Sequence, residues 1–310
     1  MAINGSKPEH VGERGMQAYR APSLAQPHRA RQALRDAYEG KIGPLLGFYM
    51  ALPNVMNAKV AAQLEADFVW VDWEHSPLDV ETMTEVVQTI QYVSEGATMA
   101  FVRVPNHDHA NIGFALDAGA SAVIVPQVDT VAQAQHVVSS SKFGKVVNGT
   151  RSAPPARWVP GLSTAATLDP SSTIWENLNK QAALIIQIES EVGVKNLDDI
   201  LTEVGSQIDV VWIGLIDLRV SMGYDGIWGD EPDFLRTIRL CEQTLSKHGK
   251  PTAGPCFDGN WARAANKTFT VVSGDWLALA NERETIRNAR TNLPATDKRQ
   301  NWSSTSGVAK

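Results

Sequence analysis

Between residues 29 and 294 the chain alternates between two hydrophobic patterns. Short runs rich in Val, Ile, Leu and Phe occur at Leu45–Met50, Phe68–Asp72, Met99–Val104, Ala122–Pro126, Leu184–Glu189, Val210–Ile213, Thr252–Pro255 and Phe269–Val272. Between them apolar residues recur at three- and four-residue spacing, as in Met56–Leu64, Val80–Tyr92, Ala110–Ala118, Val131–Ser140, Leu197–Val204, Phe234–His248 and Trp261–Lys267. Near-continuous apolar runs predict strands buried on both faces, and the spaced runs predict amphipathic helices that cover them. Eight such strands, each followed by a covering segment, predict an α/β fold: a (β/α)8 TIM barrel forming a single domain over residues 29–294. A doubly wound open sheet is the competing arrangement, but no G-x-G-x-x-G follows the first strand. A helix from Arg29, with Ala30, Leu34, Ala37 and Tyr38 on one face, leads into the barrel and stops at Gly40. Residues 1–28 and 295–310 are polar and rich in breakers, and are expected to be flexible tails. Residues 143–180 form one long connection carrying Pro154, Pro155, Pro160 and Pro170, a length usually kept for function.

The chain has 310 residues, with 34 acidic against 28 basic side chains and a net charge of −6. That balance argues against a protein that tracks nucleic-acid phosphates. No apolar run approaches the roughly 18 residues that span a bilayer, and the first thirty residues lack the apolar stretch of a signal peptide. Two cysteines, Cys241 and Cys256, are too few for a disulfide framework. The expectation is a soluble, cytoplasmic protein that acts on small molecules and binds neither nucleic acid nor membrane.

In a barrel the chemistry lies at the carboxyl ends of the strands. Strand two ends in Asp72-Trp73-Glu74-His75-Ser76-Pro77, strand three in Arg103-Val104-Pro105, strand five in Gln187-Ile188-Glu189, and strand six runs through Gly214-Leu215-Ile216 to Asp217. Alternation puts Gln187 and Glu189 on the same face. Two carboxylates ending apolar strands, Glu189 and Asp217, are oxygen ligands suited to Mg²⁺ or Mn²⁺. The plainer alternative has each paired with an arginine or capping a helix, Asp217 above all. Asp72 and His75 fit a carboxylate-oriented imidazole; the alternative is a histidine satisfied by a loop carbonyl. Arg103 needs an anion, either a substrate carboxylate or enolate, or Glu74 or Glu189 in a salt bridge. Arg219 is an acid-recognising residue or a solvated helix residue.

These residues also carry a family resemblance. Asp-x-Glu-His-x-Pro at 72–77, Val-Arg-Val-Pro at 102–105, Ala-Leu-Asp-Ala-Gly-Ala at 115–120, Val-Pro-Gln-Val at 125–128, Gly-x-Arg-Ser at 149–152, Ile-Gln-Ile-Glu at 186–189 and Gly-x-x-Asp-Leu at 214–218 occur in order. Together they resemble the HpcH/HpaI aldolase family, metal-dependent class II pyruvate aldolases. The stretch Arg31–Tyr38 ahead of Gly43–Gly47 resembles the macrophomate synthase branch, which decarboxylates oxaloacetate and joins the enolate to a pyrone. The resemblance implies a divalent cation, Mg²⁺ or Mn²⁺ with Co²⁺ as a further candidate, on Glu189 and Asp217. It implies catalytic roles for His75, Asp72 and Arg103, and substrate contacts from Gln187, Arg151 and the Gly214-Leu215-Ile216 backbone. It also implies a homo-oligomer, a dimer or a trimer of dimers making a homohexamer, built by exchange of the C-terminal helix at Trp276–Leu293; the alternative is a helix that closes its own barrel. The chain departs from the family at Ser76, where glycine is usual, and at Leu215-Ile216, where proline and a small residue are usual.

The function these features predict is a metal-dependent carbon–carbon lyase that forms or cleaves 4-hydroxy-2-oxo acids through a pyruvate enolate. The alternative within the class is oxaloacetate decarboxylation and transfer of the enolate to a specialised acceptor held by residues 143–180. A different class, a barrel that binds or assembles without turnover, is favoured only by the altered 214–217 segment.

Overall fold

The computed structural model describes residues 13–145, 148–158 and 169–293. Its elements follow in the order α1 (Ala30–Tyr38), β1 (Leu45–Met50), α2 (Val55–Ala61), β2 (Phe68–Asp72), α3 (Val80–Val93), β3 (Met99–Arg103), α4 (His109–Asp117), β4 (Ala122–Val125), α5 (Val131–Ser141), α6 (Ile174–Gln181), β5 (Ala183–Ile188), α7 (Glu191–Val204), β6 (Val210–Ile213), α8 (Leu215–Ser221), α9 (Pro232–Lys247), β7 (Thr252–Pro255), α10 (Trp261–Ala264), β8 (Phe269–Gly274) and α11 (Asp275–Asn292). The eight strands pair in parallel and in sequence order, and β1 closes on β8. The molecule is a (β/α)8 barrel. No helix among the described residues is long and apolar enough to cross a membrane.

Alternation sorts the strand residues into two cores. Val69, Val71, Val102, Val123, Ile186 and Val211 face outward and pack under the helices. Phe68, Trp70, Phe101, Ile124, Ile185, Trp212 and Phe269 face inward and fill the lumen. Phe68 stacks on Phe101 at 4.4 Å and meets Phe269 edge-on at 5.2 Å. A Cβ at Gly47 would lie 2.1 Å from the Phe68 ring, so only glycine leaves room for that stack. Helix α1 packs Ala30, Ala33 and Leu34 against the same inner core and covers the N-terminal end of the barrel.

The expected tail through residue 28 is corrected from residue 13 onward. Gly15–Tyr19 forms a 3-10 turn, and Met16, Ala21, Gln26, Pro27 and His28 are buried. His28 is held between the Gly96 carbonyl, 2.9 Å from Nε2, and Ser121 Oγ, 3.1 Å from Nδ1. Burial and the nearby Arg20 charge lower its pKa to about 4 against the opposing Gly96 hydrogen bond. Packing on residues 68 and 93 positions away gives this polar segment partners that composition alone does not reveal. Residues 1–12 and the expected tail 295–310 lie outside the described residues.

The connection 143–180 is not one loop. It contains α6, started by a capping box in which Thr173 Oγ1 accepts from the Glu176 amide and Glu176 returns a bond to the Thr173 amide. Residues 146–147 and 159–168, with Pro160, lie outside the described residues.

Candidate active site

At the C-terminal end of the barrel the inward-facing positions turn polar. Tyr49 is the last residue but one of β1, Asp72 ends β2, Arg103 ends β3, Gln187 lies near the end of β5, and Glu189 follows that strand. Arg103 grips Asp72 as a fork, with Nε to Oδ1 at 3.0 Å and NH2 to Oδ2 at 2.7 Å. Tyr49 donates its hydroxyl to the same carboxylate at 2.6 Å. Burial opposes ionisation of Asp72, but the Arg103 hydrogen bonds and charge, with the Tyr49 bond, outweigh it and hold the carboxyl below its usual pKa. Burial, then the Asp72 charge and hydrogen bond, push the Tyr49 phenol up. Its ring stacks on Trp70 at 4.0 Å, and the Arg103 guanidinium lies 4.8 Å from the Trp70 ring centre. Asp72, Arg103, Tyr49 and Trp70 therefore close a ring of contacts that fixes the guanidinium.

One expectation for this corner is corrected, and of the partners held open for Arg103 the structure shows Glu74. Asp72 does not orient the His75 imidazole; it receives only the His75 backbone N–H, at 3.4 Å, because Arg103 and Tyr49 occupy its oxygens. The His75 ring is largely exposed and lies 3.7 Å from Glu74 Oε2. Arg103 pairs with Asp72 and with Glu74, whose Oε2 is 3.1 Å from Nε, rather than with Glu189. Burial, with the Asp72 and Asp217 charges, raises the Glu74 pKa against the pull of Arg103 and His75. Ser76 donates its hydroxyl to the Asp72 carbonyl at 2.5 Å, tightening the turn after β2.

Glu189 is buried in the lumen mouth. Its Oε1 accepts from Gln187 Nε2 at 3.0 Å and its Oε2 from the Gln127 amide at 3.1 Å. Burial, then the charge of Asp217, raise its pKa to about 7 despite Arg103 and the Gln127 bond. Gln127 adopts φ 54°, the left-handed region, and so turns its N–H toward the carboxylate. The amide of Gln187 spends Nε2 on Glu189, while its buried Oε1 has no hydrogen-bond partner. A Cβ at Gly214 would sit 2.2 Å from Glu189 Oε1, so glycine is required where β6 passes this side chain. Directly after Glu189, Ser190 caps α7 by accepting from the Gly193 amide at 2.9 Å.

Asp217 is exposed at the mouth, in the first turn of α8. The N-cap of that helix is Gly214, so the capping role held open for Asp217 is not the one it has. Leu215 packs into the outer core and Ile216 stays exposed at the rim, so the departure from proline and a small residue falls on the outer core and the rim. The N–H groups of residues 215–217 precede the first intrahelical bond, Leu218 to Gly214, and are therefore free of helix partners.

Two arginines lie elsewhere than expected. Arg151 is buried beside α4 at the N-terminal end, with NH2 2.7 Å from Asp117 Oδ1 and its guanidinium over the Phe143 ring, so it does not reach the site. Arg219 is fully buried. It is neither solvated nor facing the mouth: Glu231, the Asp225 and Gly226 carbonyls, and the Tyr224 and Phe234 rings surround it.

The residues fit a hard cation. Glu189 is a desolvated carboxylate whose two protein donors leave lone pairs free, Asp217 lies close enough to shift its titration, and all the candidate donors are oxygens. Among the described residues no group of three or more His, Cys, Asp or Glu side chains is disposed to hold a metal alone. A two-carboxylate site that completes its shell with water and substrate is the usual arrangement for Mg²⁺.

Residues 45–274 match the family model described as HpcH/HpaI aldolase/citrate lyase. The chain is 31% identical over 238 residues to 2-keto-3-deoxy-L-rhamnonate aldolase of Salmonella dublin, covering 75% of this chain and 83% of that one. Macrophomate synthase superposes with a TM-score of 0.82 at 27% identity, over 90% of this chain and 94% of its own. A HpcH/HpaI aldolase/citrate lyase family protein of Burkholderia cenocepacia J2315 gives 0.67 at 25% identity, over 84% and 98%. The Glu189–Gly214 contact, the Asp72–Arg103 fork and these likenesses lie within one stretch of sequence, and the chain belongs to the HpcH/HpaI aldolase/citrate lyase family of carbon–carbon lyases.

Proposed function

We propose that the chain forms or cleaves 4-hydroxy-2-oxo acids through the enolate of pyruvate, with Glu189 and Asp217 holding a divalent cation, Mg²⁺ or Mn²⁺. The observation that carries this reading is the buried Glu189 carboxylate, kept beside Asp217 by the missing Cβ of Gly214. When bound, the cation supplies Lewis-acid polarisation of the 2-oxo acid. The free N–H groups of Leu215, Ile216 and Asp217 bind the substrate carboxylate at the start of α8. Gln187 offers its unpartnered Oε1 to the bound acid or its water. Arg103, held rigid by Asp72 and Tyr49, presents a fixed positive charge where the oxygen of the enolate becomes negative. His75, beside Glu74 at the exposed rim, moves the proton of the aldol hydroxyl. Asp72 serves as the positioning partner of Arg103.

The test is exchange of pyruvate methyl protons in deuterated water. Exchange that needs Mg²⁺ or Mn²⁺ and stops with EDTA is expected; equal exchange with and without EDTA overturns the reading. Calorimetric titration with Mg²⁺ separates it from a barrel that only binds or assembles, since such a barrel shows the same trace for wild type and Glu189→Gln.

A second reading, decarboxylation of oxaloacetate and transfer of the enolate to another acceptor, is favoured by the 0.82 superposition on macrophomate synthase. Faster consumption of oxaloacetate than condensation of pyruvate with aldehydes selects it. The reading includes assembly through α11, on which Leu279 and Ile286 are exposed and only Asp275 is buried. A hexamer or dimer by light scattering that falls to monomer on removal of residues 276–293 is the expected result. It also includes a cytoplasmic location, in keeping with two buried free thiols, Cys241 and Cys256.

A further inference from the structure

At the end of the barrel opposite the active site, one cavity is lined by an excess of positive charge that the lyase chemistry does not use. A cavity of about 370 Å³ lies between α1 and α6, and its charged lining is Arg29, Arg31, Arg35, Lys180 and Asp169. Four cations face one carboxylate in a protein of net charge −6. Two are matched: Lys180 lies 3.3 Å from Asp169, and Arg31 Nε lies 2.8 Å from Asp209 outside the cavity. The other two have no carboxylate among the described residues. Arg35 is exposed and makes no ion pair or side-chain hydrogen bond among the described residues. Arg29 donates NH2 to the Ala18 carbonyl and lies over the Tyr19 ring, while its buried Nε has no partner among the described residues.

The imbalance extends behind the cavity wall. Lys142 is buried and donates to the Asn179 carbonyl at 3.2 Å, the same oxygen that Arg31 NH1 reaches at 3.0 Å. Burial, then the Arg31 charge, lower its pKa to about 7 against the pull of Asp209. Lys250 is lowered by burial and by Arg31 and Arg35, again with Asp209 as the opposing charge. One aspartate thus serves Arg31, Lys142 and Lys250, and Arg35 adds to the repulsion. Cations at such spacing repel one another unless an anion sits among them.

We propose that this cavity binds a compact multivalent oxyanion, a phosphate or a polycarboxylate, between Arg29 and Arg35 of the N-terminal segment and α1 and Lys180 of α6. The volume is at the small end of the range for ligand clefts, which suits an ion of this size. Guanidinium groups are the side chains that recognise phosphate and carboxylate by paired hydrogen bonds. The bound ion ties three separate parts of the barrel base together, so its binding is read as stability.

The experiment is thermal unfolding of the full-length protein in rising inorganic phosphate or citrate, with ionic strength held constant by chloride. A saturable rise in Tm of about 4–5 °C at a hundredfold excess over Kd is expected. The rise is lost in Arg29→Gln/Arg35→Gln, whose kcat stays at the wild-type value. A response to phosphate alone, to citrate alone or to both identifies which oxyanion the site takes. A rise that persists in the double variant, or that chloride reproduces at equal ionic strength, overturns the proposal. Should the double variant fail to fold, Arg35→Gln alone, at an exposed side chain, is expected to weaken phosphate or citrate binding about tenfold; unchanged affinity overturns it equally.

Discussion

The two halves of the lumen are made by the same eight strands and have opposite purposes. Toward the N-terminal end, Phe68, Phe101 and Phe269 fill the barrel with stacked and edge-on rings under the cover of α1. Toward the C-terminal end, the same inward positions carry Tyr49, Asp72, Arg103, Gln187 and Glu189. Each half depends on one glycine for close approach: Gly47 admits the Phe68 ring and Gly214 admits the Glu189 carboxylate. The first contact lowers the free energy of the fold. The second forces a carboxylate out of water beside Asp217, which costs stability and creates a place for a cation. Stability and chemistry are thus divided along the barrel axis, so substitutions at the two ends are expected to move different observables.

The largest expected effect lies at the catalytic end. Glu189→Gln removes the proposed cation ligand and is expected to lower kcat by about a thousandfold, the scale of several kcal/mol of charge stabilisation, with unchanged or higher Tm. A lower Tm with retained turnover breaks the division. At the other end, Phe68→Ala empties the stack on Phe101 and Phe269 and is expected to cost about 3–5 kcal/mol of stability in urea unfolding. Its kcat, measured below the melting range, stays near wild type; a loss of turnover equal to that of Glu189→Gln shows that the halves are not separable.

A third prediction concerns pH in the cation-free protein. The Glu189 carboxyl titrates near 7 when folded, against 4.5 for the ordinary group. The folded state therefore holds a proton that the unfolded state has already released, so stability falls as pH rises from about 4.5 to 7, by roughly 3 kcal/mol. Urea midpoints at pH 5 and pH 8 with EDTA measure it, and Glu189→Gln is expected to flatten the difference. Identical pH dependence in both proteins contradicts the desolvated carboxylate. The smallest effect is expected of Tyr49→Phe, which removes one bond to Asp72 and leaves the Trp70 stack. It is expected to lower kcat about tenfold with little change in KM, in line with a bond of about 1.5 kcal/mol to a charged group.

Much of this was legible before any coordinates. Strands such as β2 and β5 read clearly because burial on both faces forces them to be apolar, so a terminal Asp72 or Glu189 stands out. Gly214 beside Asp217 was visible as a motif, although the reason for the glycine is a contact with a residue 25 positions earlier. What escaped was local in form or distant in cause. Tyr49 shares the face of Leu45 and Gly47, but a tyrosine reads as core unless its hydroxyl finds a partner, and that partner is on the next strand. Gln127 contributes a backbone N–H through a left-handed turn, which no side-chain pattern announces. Helix α6 did carry a signal, the Thr173-x-x-Glu176 capping box, hidden among prolines. The pairing of Asp72 with His75 failed because proximity along the chain favoured it, whereas Arg103 on β3 could offer two hydrogen bonds in place of one.

The clamp on Arg219 has a practical consequence for engineering. It secures the segment after α8 through the carbonyls of Asp225 and Gly226 and the side chain of Glu231, while Ile227 and Trp228 project from between these anchors into solvent. The segment after α8 is therefore a short exposed tip on a fixed mount. Randomising positions 227 and 228 while keeping 219, 226 and 231 gives a library whose members share one scaffold and differ only at that tip.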